Sequence, residues 1–187
     1  MCNIICNHDN TIRYFRGESG PATTVTCFDI FYNILPARFN LANFYNKLKR
    51  NSEAEQQFRA IIKLDPEDGQ AYYSLGLLLA ELNRLDEAVT SMAKAVELMP
   101  DRARTRYNYA LTLRHLGRNE DALSEMLKGH QLDQQDPGIV QAITIFYIQE
   151  KEWKKALPYA EKLVQLAPDA SGPKQMLKQI QLQMPAE

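Results

Sequence analysis

The residues best suited to chemistry are the thiols and the imidazole near the N-terminus, Cys2, Cys6, His8 and Cys27. Together they could supply four zinc ligands, because thiolate and imidazole are the usual ligands of tetrahedral Zn²⁺. However, the C-x3-C-x-H spacing is not one that zinc sites ordinarily use. An odd, clustered set of three cysteines is also not a disulfide framework. We therefore expect free thiols, with no metal and no other cofactor.

Catalytic motifs are missing elsewhere in the chain. His115 and His130 are scattered, and no serine or cysteine has an evident base partner. The sequence contains no glycine-rich phosphate loop, no HExxH pair and no CxxCH haem motif. These observations predict a protein that is not an enzyme.

Charge and hydropathy argue against a nucleic-acid-binding protein and against a membrane-anchored one. The 187 residues carry a formal net charge of −1, so the chain lacks the electrostatic footprint of a nucleic-acid-binding protein. No polybasic segment indicates a membrane anchor, and no apolar run approaches the roughly 20 residues that span a bilayer. The N-terminus has no charged segment followed by an apolar one, as a secretory signal would. The sequence as written predicts a cytoplasmic protein, and a periplasmic one stays open if the true start lies upstream.

The chain repeats itself with a period of 34 residues. Pro66 and Pro100 are one period apart, and Pro168 follows two periods later. Small residues recur with the same period in two further columns, which are Ala54, Ala88, Ala122 and Ala156, and Ala42, Gly76, Ala110 and Thr144. Self-similarity at a fixed period of this length is typical of repeat architectures.

Each period reads as two helices joined by a turn. Apolar residues recur at i, i+3, i+4 and i+7 in both halves of the second unit. Asn83 and Gly117 suit the left-handed conformation that ends a helix, and the proline at the end of a unit stops the second helix. The small residues predict positions where paired helices approach most closely, because a large side chain there would push the helices apart.

This pattern resembles the tetratricopeptide repeat (TPR) family. The unit 69–102 fills the signature positions of that repeat with Tyr72, Leu75, Gly76, Leu79, Ala88, Met92, Ala95 and Pro100. The resemblance implies an all-α fold, an α-solenoid of four helix-turn-helix pairs wound into a right-handed superhelix. The pairs would be residues 35–68, 69–102, 103–136 and 137–170, and a capping helix with a tail would follow at 171–187.

Residues 1–34 fit no part of this pattern, and we expect an irregular N-terminal segment. Three interpretations are open. The segment is disordered or loosely packed, it forms a short strand or helix that covers the first repeat, or it is an artefactual start of a chain that begins upstream.

The resemblance also implies a binding groove, because the first helices of TPR pairs line the concave side of the array. Positions one residue after the first signature position, and four and seven residues further on, share that face. The predicted groove residues are Phe39, Asn43, Tyr73, Leu77, Tyr107, Asn108, Leu111, Arg114 and Ile145. Exposed apolar strips of this kind usually mark interaction sites. The alternative is that the leucines and tyrosines only pack between neighbouring first helices.

The predicted function is therefore a bacterial-type, non-catalytic scaffold or adaptor that binds an extended peptide or a partner helix in its groove. Two alternatives stay open. The chain is a self-associating, homo-oligomeric scaffold, or it is a fragment of a larger enzyme or of a protein similar to the TPR modules beside multihaem cytochromes.

Overall fold

The computed structural model describes residues 5–6, 11–13 and 24–184. The chain forms two compact units, Met1–Ala71 and Tyr72–Glu187.

The first unit contains three short strands and two long helices. Strands β1 (Ile5–Cys6), β2 (Thr11–Arg13) and β3 (Thr24–Thr26) pair antiparallel in that order. Helix α1 (Cys27–Lys47) follows directly and packs on α2 (Asn51–Leu64). The described residues within 1–34 thus form short strands and the beginning of a helix, as one of the three interpretations of this segment has it, whereas the division of the chain at residue 34 stays a prediction. Helix α1 begins well before Pro36 and runs through it.

The second unit is built from helices alone in the described part of the chain. They are α3 (Gly69–Glu81), whose first residues belong to the first unit, α4 (Leu85–Leu98), α5 (Ala103–His115), α6 (Asn119–Leu132), α7 (Pro137–Gln149), α8 (Trp153–Leu166) and α9 (Ser171–Gln183). Helices α4, α6 and α8 begin 34 residues apart, as do α3, α5, α7 and α9. The α-solenoid of helix pairs is confirmed, whereas the right-handed superhelix stays a prediction.

The periodic small residues lie where helices meet. Every alanine of the two columns is fully buried. At Gly76 the reason is visible, because a Cβ atom there would lie 2.6 Å from Cγ of Met92 on α4. The sequence prediction that these positions set the closest approach of paired helices is confirmed for this pair.

A left-handed residue ends the first helix of each pair. Lys49, Asn83, Gly117 and Lys151 have φ angles of 60°, 58°, 75° and 57°. The prediction from sequence names Asn83 and Gly117 for this role, and both are confirmed. The two lysines adopt the same conformation although a Cβ atom disfavours it. The turn is therefore imposed by the packing of the helix pair, whatever residue stands there.

The core of the second unit runs through α4 to α9 and contains mainly aliphatic side chains with Phe146 and Tyr147. Asp136 caps α7, since its Oδ1 accepts hydrogen bonds from the backbone N–H groups of Gly138 (2.8 Å) and Ile139 (3.2 Å). Within the described residues, no helix combines the length and the apolarity that crossing a membrane requires.

Candidate functional site

A hollow of about 320 Å³ opens between α3, α4 and α5. Three of its lining residues, Leu77, Asn108 and Leu111, belong to the predicted groove. Leu77 keeps 39% of its surface exposed, so it is not a core residue. Leu111 is half-buried and packs against the core. The hollow thus combines an exposed leucine with a half-buried leucine that packs against the core.

The second tyrosine of the pair Tyr72–Tyr73 is held by the next repeat. Nδ2 of Asn108 on α5 donates a hydrogen bond to the hydroxyl of Tyr73 on α3. Both side chains are half-buried. The predicted groove residues Tyr73 and Asn108 are therefore in direct contact, and their polar ends satisfy each other.

Tyr107 stands one period after Tyr73 but lacks this partner. The position one period after Asn108 is Ala142, which has no side-chain donor. Among the residues that the structure describes, none forms a hydrogen bond with the Tyr107 hydroxyl. The guanidinium carbon of Arg104 lies 5.4 Å from the ring centroid, and a Cβ atom on Gly138 would lie 3.8 Å from the hydroxyl oxygen. The ring is thus held while its hydroxyl stays available.

Arg114 and Ile145 lie apart from the hollow. Nη2 of Arg114 donates to Oε1 of Gln149 on α7 at 2.6 Å, which joins α5 to α7. Ile145 is half-buried on α7 and does not line the hollow. These two predicted groove residues are not brought together with Leu77 and Asn108.

Phe39 and Asn43 belong to the first unit. The ring of Phe39 packs edge-on against Phe58 of α2, with centroids 5.7 Å apart. Phe39 also lines a shallow hollow of about 210 Å³ together with Asp68 and Gln70. Asn43 is half-buried. Phe39 therefore contributes to the packing of its own helix pair.

The structure adds lining residues that the sequence does not assign to the groove. They are Glu81, Asn83, Leu85, Met92, Thr112 and His115. The hydroxyl of Thr112 lies 3.3 Å from Sδ of Met92 and donates to the carbonyl of Asn108 at 2.9 Å. No periodic signal separates these residues from core and turn positions, because they come from α3, from the turn after it, from α4 and from α5.

A second hollow, of about 450 Å³, lies between α6, α7 and α8. Phe146 and Tyr147 line it together with Glu120, Glu150 and Glu152. Nζ of Lys155 lies 3.3 Å from Oε1 of Glu152 and 6.0 Å from the Tyr147 ring. The ammonium group of Lys155 therefore already lies beside a carboxylate and an aromatic ring of this hollow.

No group of three or more metal-ligating side chains occurs among the described residues. The candidate ligands Cys2 and His8 lie outside the described residues. In the described part, the pKa of His130 is lowered by burial and by nearby Lys162, and burial raises the pKa of Tyr109 and of Tyr159. None of these three groups lines the hollow between α3, α4 and α5.

Solved structures with the same fold are TPR-type proteins. A MamA chain from Desulfovibrio magneticus RS-1 is 19% identical, with a TM-score of 0.70 over 79% of this chain and 84% of that one. PilF of Pseudomonas aeruginosa is 20% identical, with a TM-score of 0.68 over 81% and 69% of the two chains. YrrB, described as a TPR protein with an unusual peptide-binding site, is 23% identical, with a TM-score of 0.66 over 77% and 74%. These identities establish a shared fold only.

The sequence comparison identifies the family. None of the curated proteins compared with the chain matches it. The sequence model of the tetratricopeptide repeat matches residues 39–103 and 73–138, which together cover more than half of the chain. The turns, the buried small residues and the helix pairs all follow the same 34-residue period. The chain therefore belongs to the tetratricopeptide repeat family.

Proposed function

We propose that the second unit is a non-catalytic peptide-binding module whose groove lies on α3, α5 and α7. The ligand is an extended peptide of a partner protein. It places an apolar side chain in the hollow beside Leu77 and Leu111, and it offers a polar group to the Tyr107 hydroxyl. The proposal assigns no role to nucleic acid, to a membrane or to a cofactor.

The observation that carries this proposal is the difference between two equivalent tyrosines. The hydroxyl of Tyr73 is bonded to Asn108, whereas the position equivalent to Asn108 for Tyr107 is Ala142, which has no donor. A tyrosine whose ring is held and whose hydroxyl is accessible is well suited to binding, because few rotamers are lost when a ligand arrives.

Three further features support a peptide as the ligand. The hollow is lined by leucines and by polar side chains, which matches the apolar and polar character of a peptide. Within the family, arrays of helix pairs serve as protein-interaction modules. YrrB, which shares the fold, is described as having a peptide-binding site.

The test begins with a random peptide library displayed on phage and panned against the full chain. The tightest binder is synthesised, and its Kd is measured by isothermal titration calorimetry. We expect Leu77→Asp to raise Kd by about tenfold, since it places a charge in the apolar hollow. We expect Tyr107→Phe to raise Kd by about three- to tenfold, the loss expected for one hydrogen bond.

A matched variant serves as the control. Leu132→Asp alters a similarly exposed leucine on α6 that does not line the hollow, and it should leave Kd unchanged. Equal Kd values for wild type, Leu77→Asp and Tyr107→Phe would contradict the groove, as would a library that yields no binder.

A further inference from the structure

The floor of the hollow between α3, α4 and α5 is formed by Met92 and Thr112, whose side chains are buried. The single hydrogen of the Thr112 hydroxyl is engaged inside the chain, because that hydroxyl lies 2.9 Å from the carbonyl oxygen of Asn108 and 3.3 Å from Sδ of Met92. The side-chain amide of Asn108 is bonded to Tyr73. The polar groups at the floor are thus already paired within the chain, which favours an apolar occupant.

Polar residues surround the hollow at its rim. Apart from Leu77, the exposed lining residues are Glu81, Asn83 and His115. These three lie where α3 and α5 end. An apolar side chain of a peptide can therefore enter the hollow while the peptide backbone stays beside polar groups and water.

The next repeat shows which side chain fills the equivalent place. One period after Met92 and Thr112 stand Met126 of α6 and Phe146 of α7. Met126 is fully buried, Phe146 keeps 7% of its surface exposed, and the two belong to one packed cluster. The chain itself therefore packs an aromatic ring with the methionine at this position of the repeat. Thr112 carries no ring, so the corresponding space beside Met92 is not filled from α5.

The hollow is large enough for such a ring. Its volume is about 320 Å³, whereas an apolar cavity of about 150 Å³ already holds a benzene molecule. The thioether of Met92 is a favourable neighbour, because polarizable sulfur packs well against aromatic rings. Leu77 and Leu111 add apolar side chains to the lining. Size and lining thus suit a phenyl or an indole ring.

We propose that this hollow is a site for an aromatic anchor, in which the ligand of the groove inserts a phenylalanine or tryptophan side chain beside Met92. The ring takes the place that Phe146 takes one period later. Thr112 determines this specificity, because its short side chain leaves room for the ring. The inference rests on the proposed peptide-binding function and names the side chain by which the peptide is recognised.

Ring currents give a direct readout of an inserted ring. The full chain is labelled with ¹³C at the methionine methyl groups, and the Met92 signal is assigned with Met92→Leu. The probe is N-acetylphenylalanine amide at millimolar concentration. We expect the Met92 signal to shift upfield with saturation, while the signal of Met126, the matched methionine of the next repeat, stays in place. N-acetylleucine amide, the aliphatic control, should saturate at a concentration at least about threefold higher.

Variants that fill the hollow from within test the role of its size. Thr112→Phe places a ring where the next repeat has Phe146, and it should raise the Kd of the probe by about tenfold or more. Thr112→Val keeps the shape of the side chain and should leave Kd within about twofold of wild type.

Ala80→Gln is a second filling variant, on α3. The equivalent position one period later holds the larger Arg114, so a longer side chain is compatible with the repeat. Ala80→Gln should raise the Kd of the probe by at least about threefold. A thermal melt verifies that each variant is folded, and Ala80→Gln decides the question if Thr112→Phe does not fold.

Two results would overturn the aromatic site. One is a Met92 signal that the phenylalanine probe does not move, and the other is a probe Kd that the folded filling variants leave unchanged. The peptide obtained from the phage library separates this inference from the proposed function. A binder that depends on an aliphatic anchor in an alanine scan would leave the groove standing and contradict the aromatic anchor. A shifted Met92 signal with a library that yields no binder would support the site for a ring, and the peptide-binding function alone would fail.

Discussion

The side-chain amide of Asn108 donates a hydrogen bond to the hydroxyl of Tyr73 and thereby joins α5 to α3. The same two positions one period later hold Tyr107 and Ala142, where this bond cannot form. Two tyrosines that the period makes equivalent thus have different surroundings. Tyr73 ties one repeat to the next, and the proposed role of Tyr107 is to offer its hydroxyl to a ligand.

The bond between Asn108 and Tyr73 should be measurable in stability. We expect Asn108→Ala and Tyr73→Phe each to lower the free energy of unfolding by about 1 kcal/mol, because each removes one partner of a half-buried hydrogen bond. The double variant should lose clearly less than the sum, since both changes remove the same bond. Urea unfolding followed by circular dichroism gives the three values. Strict additivity would mean that the two side chains do not interact.

The close approach at Gly76 should make this position intolerant of a methyl group. A Cβ atom there would lie 2.6 Å from Met92 Cγ and 3.4 Å from the carbonyl oxygen of Ala88. Overpacking costs about 1–3 kcal/mol, and the better helix propensity of alanine offsets about 1 kcal/mol of that loss. We expect Gly76→Ala to lower the free energy of unfolding by about 1 kcal/mol.

Gly172 provides the matched control for Gly76. It lies in the first turn of α9, where an added Cβ atom would meet no packing partner within 4 Å. Gly172→Ala should therefore cost less than Gly76→Ala, because only the contact of the new Cβ atom with the next residue, Pro173, opposes it. Equal losses for both variants in thermal melts would show that close packing at Gly76 is not the cause.

The left-handed turn at Lys151 offers a stabilising substitution. Its φ of 57° places a Cβ-bearing residue in a conformation that costs about 1–2 kcal/mol. Lys151→Gly should raise the free energy of unfolding by about 1 kcal/mol, after the extra freedom of glycine in the unfolded chain is subtracted. The reciprocal change, Gly117→Ala at a φ of 75°, should lower it. The change in the free energy of unfolding, measured by urea unfolding, should have opposite signs in the two variants. Equal signs would contradict this explanation.

His130 should make the protein less stable in mild acid. Its Nδ1 is buried without a hydrogen-bond partner in the described part of the chain, and its ring packs against Tyr159 with centroids 5.5 Å apart. Burial, with a smaller contribution from Lys162, lowers the pKa of His130, whereas Asp133 raises it by a lesser amount. The unfolded chain therefore binds the proton more readily, and stability is lost as pH falls below the ordinary value of about 6.5.

Urea midpoints at pH 7.5 and pH 5.5 test this dependence. The midpoint of wild type should be lower at pH 5.5, and His130→Gln should reduce the difference. His115→Gln, at an exposed position, should leave the difference as in wild type. An unchanged difference in His130→Gln would assign the pH dependence to other groups.

The repeat, the helix pairs and the turns could all be predicted from the amino-acid sequence. A 34-residue period establishes which positions are equivalent, so Ala88 and Ala122 had to be buried alike and Asn83 and Gly117 had to end helices. These features depend on local geometry that every repeat shares. The strands β1, β2 and β3 and the start of α1 at Cys27 could not be predicted, because that segment has no period against which to compare it.

What each equivalent position does depends instead on the folded packing. Tyr73 and Tyr107 are the same residue type at equivalent positions of two repeats. The atoms around each ring come from other helices, and the residues of these helices differ from one repeat to the next. The hydrogen bond between Tyr73 and Asn108 and the exposure of Leu41 and Phe44 on α1 therefore depend on the neighbouring helices. A period specifies which residues are alike, and packing specifies which of them are left accessible.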